Sequence, residues 1–154
     1  MMTMTYSVAD ASSSAGTGSQ TEGMRFLQFW ILPSQDGLEN WVQQRQYTEA
    51  DRRGRLLQIM GPAGADGLDL AQDARVLVSK LTSGDRASYG IAAARGGYLY
   101  TVDGELQLRE ESLAGGDAAK LAGPEDLELT ASDDTELILI DVPLQFGPIG
   151  AWAA

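Results

Sequence analysis

The chain has 154 residues, 44% of them hydrophobic and 21% charged, which is enough apolar material for one domain with a core. Acidic residues outnumber basic ones 22 to 11, and the net charge of -11 repels nucleic acid phosphates and anionic membrane surfaces, so neither is an expected partner. Histidine and cysteine are absent, which excludes Ser-His-Asp and Cys-His nucleophiles, disulfides, and the imidazole or thiolate sets that hold zinc, copper or non-haem iron; no metal and no cofactor are expected.

The first residues contain Met1, Met2 and Met4 but no basic stretch followed by an apolar one. No apolar run approaches the roughly 18 residues of a membrane span, so a cytoplasmic protein is expected. Met4 to Val8 reads as a short strand. Asp10 to Gly23 is built from Ser, Gly, Thr and Ala without a large apolar group, and ordering it costs entropy with no burial in return. It reads as a flexible arm or lid. Arg25 to Leu32, RFLQFWIL, carries large apolar groups on both faces of a period-2 strand, which predicts cover on both sides. Pro33 ends it, and Asp36-Gly37 marks a turn.

Helix is scarce. Leu38 to Gln44 and Thr48 to Arg53 are each predicted to form a turn or two, the second with Thr48 as N-cap. Arg52, Arg53 and Arg55 read as a solvated turn, and Gly61 to Gly67, GPAGADG, as a plain loop lacking the Lys-Ser/Thr ending of a phosphate loop. From Gly54 onward the pattern is of short strands between Gly, Asp and Pro clusters. Strands are predicted near Arg55 to Met60, Leu68 to Leu70, Arg75 to Leu81, Tyr98 to Val102, Glu105 to Leu108, Ala118 to Leu121, Leu127 to Thr130 and Glu136 to Val142. Asp103-Gly104 predicts a type I′ hairpin joining Tyr98 to Leu108.

Three stretches belong together: FLQFWILP over 26–33, LAQDAR over 70–75, and Gly97 to Leu108 followed by Gly115-Gly116-Asp117. They resemble the pirin-like proteins, a two-cupin family that includes bacterial quercetin 2,3-dioxygenase-like members. The resemblance covers roughly Met24 to Leu144. It implies a metal site in the family's N-terminal barrel, held by histidines and a glutamate, and a C-terminal barrel without a complete site. This chain is similar to the metal-free half: where many cupins place their metal ligands, near Arg86 to Ile91 and Gly97, it offers Tyr89 and Gly97.

The expected fold is therefore all-β, a single cupin-like antiparallel β-barrel of jelly-roll type with few short helices. Residues 1–23 form an arm or lid, 24–144 the barrel, and 145–154 an apolar tail that docks on the barrel, on a partner or across a pocket mouth. Trp30, Tyr89, Tyr98 and Tyr100 either fill core and sheet interfaces or line a ligand site. Tyr98 and Tyr100 share one strand face, Leu99 and Thr101 the other. Gln28, inside an apolar strand, needs a backbone partner or orients a ligand. Lys80 and Arg75 pair with rim carboxylates or anchor an anionic substrate.

Three functions follow as expectations. In the first, a metal-free barrel binds a small apolar or polyketide-like molecule and promotes its cyclisation or isomerisation. In the second, the chain is a non-catalytic binding or interaction module acting as a homodimer. The third, a residual dioxygenase, is nearly excluded by the residue inventory.

Overall fold

A computed structural model of the chain describes residues 2–8, 25–39 and 41–147. It divides at Pro33/Ser34 into two compact units. The predicted arm at 10–23 and the last seven residues of the tail lie outside the described residues.

The first unit is a two-stranded antiparallel sheet. Strand β1 (Met2–Val8) pairs with β2 (Arg25–Ile31), from Met2 opposite Ile31 to Val8 opposite Arg25. Strand β2 was expected inside the barrel and covered on both faces. It pairs with β1 instead, Leu27, Phe29 and Ile31 are half-buried, and Phe26 and Trp30 are each 58% exposed. Gln28 shares their exposed face, so the burial cost that required a partner does not arise.

The second unit begins with an irregular segment. The predicted helix over Leu38 to Gln44 is absent among the described residues; the Gln43 side chain there bonds main-chain groups of Asp69. Helix α1 (Glu49–Arg52) forms as predicted. Asp51 N donates to Thr48 Oγ1 at 3.3 Å while Thr48 N donates to Asp51 Oδ2 at 2.7 Å, a reciprocal cap. Arg52 is not solvated: it forms a largely buried ion pair with Glu136 and clips α1 to the sheet.

Ten strands follow: β3 (Leu57–Pro62), β4 (Leu68–Leu70), β5 (Arg75–Leu81), β6 (Arg86–Ile91), β7 (Arg95–Asp103), β8 (Glu105–Leu108), β9 (Glu111–Ala114), β10 (Ala118–Ala122), β11 (Glu125–Ala131) and β12 (Thr135–Pro143). They form sheets of order β10-β7-β12-β5-β3-β4 and β6-β11-β8-β9. From β5 onward each strand crosses to the other sheet except at the β8–β9 hairpin, and the pairs β5·β12, β6·β11, β7·β10 and β8·β9 make the wrapped ribbon of a jelly roll. The predicted all-β cupin-type barrel is present in this unit.

That wrapping overturns the predicted Tyr98–Leu108 hairpin. Strand β7 pairs with β12 and β10, whereas β8 pairs with β11 and β9. Asp103-Gly104 is the point where the chain leaves one sheet for the other. Gly104 takes φ +84°, and a Cβ there would lie 2.2 Å from the Asp134 carbonyl oxygen. Asp103 is outside the left-handed region that a type I′ turn requires.

The inner faces of the two sheets meet through leucine. Leu77, Leu81, Leu99, Leu137 and Leu139 of the larger sheet pack with Leu106, Leu108, Leu113, Leu127 and Leu129 of the smaller. Each fully buried leucine contributes on the order of 1.5–3 kcal/mol. Leu137 stands opposite both Ser79 and Thr101, and these two hydroxyls are fully buried without a hydrogen-bond partner. Replacing Thr101 by the isosteric valine removes one desolvated hydroxyl. Thr101→Val is therefore expected to raise unfolding stability by about 1 kcal/mol in chemical denaturation.

Candidate functional site

The leucine pattern stops at one end of the barrel, and charged groups take over. Asp141 lies on the inner face of β12, two residues past Leu139, and stands opposite Arg75 of β5 and Gly97 of β7. Its side chain is almost fully buried, and two arginines and a phenol satisfy it. Arg95 Nε donates to Oδ1 at 2.7 Å, the Tyr89 hydroxyl donates to Oδ2 at 2.5 Å, and Arg75 lies 3.5 Å from Oδ2. Arg95 also reaches Asp73 in the β4–β5 connection, donating to its carboxylate at 2.6 Å and to its carbonyl at 3.1 Å.

Local backbone geometry aims Arg95 inward. The β6–β7 turn closes with Arg95 N donating to Ala92 O at 3.2 Å and holds Ala94 at φ +61°. A non-glycine residue there costs about 1 kcal/mol or more. Gly97 keeps the neighbouring space open, since a Cβ would lie 2.8 Å from Ile91 Cδ1. Burial first, then the bond to ionised Asp141, pushes the Tyr89 phenol up to about 12.

Of the sequence candidates, Tyr89 and Arg75 join this cluster. Arg75, expected to pair with a rim carboxylate, does so with Asp141. Tyr98 and Tyr100 lie on the outer face of β7, because Leu99 and Thr101 take the inner one; Tyr98 is 42% exposed. Lys80 is on the outer face of β5, half-buried, where Arg53 forms a parallel bridge with it. Gln28 and Trp30 belong to β2 of the first unit. Sequence reading missed Asp73, Arg95 and Asp141. An acid within the apolar run ELILIDVP is the same kind of anomaly as Gln28 and marked Asp141; nothing local marked Arg95.

A second feature lies at the outer edge of β4, a cleft of about 390 Å³ lined by Trp41, Gln43, Ala63, Asp69, Leu70 and Ala71. No helix among the described residues is long and apolar enough to cross a membrane.

The jelly roll and its leucine interior point to a cupin, and residues 58–142 match the model of the Quercetinase C-terminal cupin domain. The chain belongs to this family. A Zymomonas mobilis protein that carries a quercetin 2,3-dioxygenase name is 31% identical over 136 residues, 82% of this chain and 58% of that protein. The pirin-like protein of Caulobacter vibrioides is 30% identical over 125 residues, 79% of this chain and 53% of that one. This cupin chain thus spans a little over half the length of these relatives. The crystal structure of YhhW from Escherichia coli shares the fold, with a TM-score of 0.73 at 21% identity over 80% of this chain and 52% of that one.

The resemblance to pirin-like proteins raises the question of a transition ion, and the donor set here does not fit one. The chain has no imidazole or thiolate, both oxygens of Asp141 are already taken by cationic or phenolic donors, and no three acidic side chains converge among the described residues.

Two predictions follow from the cluster. A phenol whose folded value is raised from 10 to about 12 stabilises the fold fully below pH 10 and loses that contribution as pH climbs through 12. Spectrophotometric titration should therefore show one late-ionising tyrosine that disappears in Tyr89→Phe, and Tyr89→Phe should flatten the fall of stability between pH 10 and 12. Asp141→Ala leaves buried Arg95 without its main partner and should cost about 3–5 kcal/mol in denaturant unfolding. A loss below 1 kcal/mol would show that Arg95 swings out to water.

Proposed function

We propose that the cupin unit is a non-catalytic, pirin-like binding or interaction module. The observation that carries this reading is the filling of the barrel by leucine. Leu81, Leu99, Leu106, Leu127, Leu129, Leu137 and Leu139 are each buried to within 1% of completely. A small apolar or polyketide-like substrate undergoing cyclisation or isomerisation needs a chamber with polar groups turned into it. Among the described residues the leucines of the two sheets form one buried cluster, and the inward-facing Asp141 and Tyr89 are bonded to one another. The dioxygenase names of the relatives raise a third activity, and the lack of imidazole and thiolate weighs against it for this chain's own residues.

Outer surfaces then do the recognising. Tyr98 on β7 is exposed, and so are Leu144 and Phe146 after β12; Leu144 N donates to Ala94 O at 2.9 Å. Exposed apolar groups of this kind support self-association, and a homodimer is part of the proposal. Native mass spectrometry of untagged protein tests both parts. The expected species is a dimer of the bare polypeptide, converted to monomer by Tyr98→Glu. A stoichiometric organic ligand or a retained transition ion would overturn the reading.

A further inference from the structure

The three-residue strand β4 ends the larger sheet, and its parallel pairing with β3 turns the main chain of Leu68 and Leu70 one way and that of Asp69 the other. Asp69 thus presents the one outward N–H and C=O pair of this edge. Neither is open. Gln43 Nε2 donates to Asp69 O at 3.1 Å, and Asp69 N donates to Gln43 Oε1 at 3.2 Å. A primary carboxamide occupies the place of the N–H and C=O that one residue of a neighbouring strand would supply. Both bonds are long and solvent-exposed, so the contact is weak and exchangeable.

Beside this amide is the cleft of about 390 Å³, walled by Trp41, Ala63, Leu70 and Ala71. Trp41 is 43% exposed, an unusual state for an indole with apolar neighbours. The rim carries the exposed Asp69 side chain on a chain of net charge -11.

We propose that this edge is a binding site for an extended peptide segment and that Gln43 is its built-in stand-in. One residue of an incoming peptide displaces the Gln43 amide and takes both bonds of Asp69 with its own N–H and C=O. Its apolar side chain enters the cleft against Trp41, and an adjacent cationic residue meets the Asp69 carboxylate. This is strand addition reduced to a single residue. The inference rests on reading the unit as a binding module and names the chemistry of its ligand.

The test uses the full chain and two capped dipeptides, N-acetyl-leucyl-lysinamide and the N-acetyl-leucyl-glutamate amide, followed by amide and indole NMR shifts. The lysine dipeptide should perturb the Asp69 amide and the Trp41 indole together, and the glutamate dipeptide should bind more weakly. Gln43→Ala should tighten binding on the order of tenfold, the factor corresponding to about 1.4 kcal/mol of released competition. Trp41→Ala should abolish it. Equal affinity in wild type and Gln43→Ala, or shifts that miss Asp69, would overturn the proposal. So would a Gln43→Ala protein that merely self-associates and ignores the dipeptide, since Gln43 would then be only a guard against edge pairing. Failure here with bare polypeptide in native mass spectra removes this site alone; a ligand retained inside the barrel removes the module reading.

Discussion

Leucine packing between two sheets is the constraint from which the second unit takes its form. Facing sheets stand about 10 Å apart, and leucines from both sides meet across that distance as one buried cluster. Every strand that faces this layer must therefore alternate. The smaller sheet does so cleanly, with Leu127 and Leu129 turned in and Asp126 and Glu128 turned to water. The larger sheet is apolar on its other face too, where Val76, Val78 and Ile138 are buried. This is why β5 reads as an almost unbroken apolar run.

The layer needs an end, and Asp141 supplies it. One more leucine at that position would leave an apolar mouth open to solvent. A carboxylate held by Arg75, Arg95 and Tyr89 closes the barrel with groups that satisfy one another. Arg95 adds reach by tying β12 to the connection before β5 through Asp73. Pairs of this kind contribute little net stability over an apolar substitute, yet breaking one partner is expensive. The cluster therefore fixes which strands meet at this end more than it strengthens the fold.

Strand content was legible in the sequence because period-2 alternation survives in β11, β5 and β12 are apolar runs of strand length, and Leu68 to Leu70 and Glu105 to Leu108 were bounded by turn residues on both sides. Strands β6 and β9 gave no such signal: RASYGI and ESLA carry small and polar residues at positions that face water. The Asp103-Gly104 error has a different origin. A glycine turn between two strands looks the same whether the strands pair or separate into facing sheets, and only the long-range partners β12 and β11 decide. At the site, Tyr89 was recognisable as an aromatic where the family carries ligands. Arg95 was not, since its partners lie 22 and 46 positions away in sequence. Gln43 was hidden for the same reason, its role depending on an edge 26 residues downstream.

The place of β12 also bears on how the chain matures. It is the last of the described strands to be synthesised, yet it lies in the middle of the larger sheet, hydrogen-bonded to β5 on one side and β7 on the other. On a ribosome, those two strands emerge long before the segment that joins them and wait with bare edges and uncovered leucines. Closure is thus a late, all-at-once event, and the nascent chain is most exposed to chaperones and to clumping in the interval before residue 135 leaves the exit tunnel.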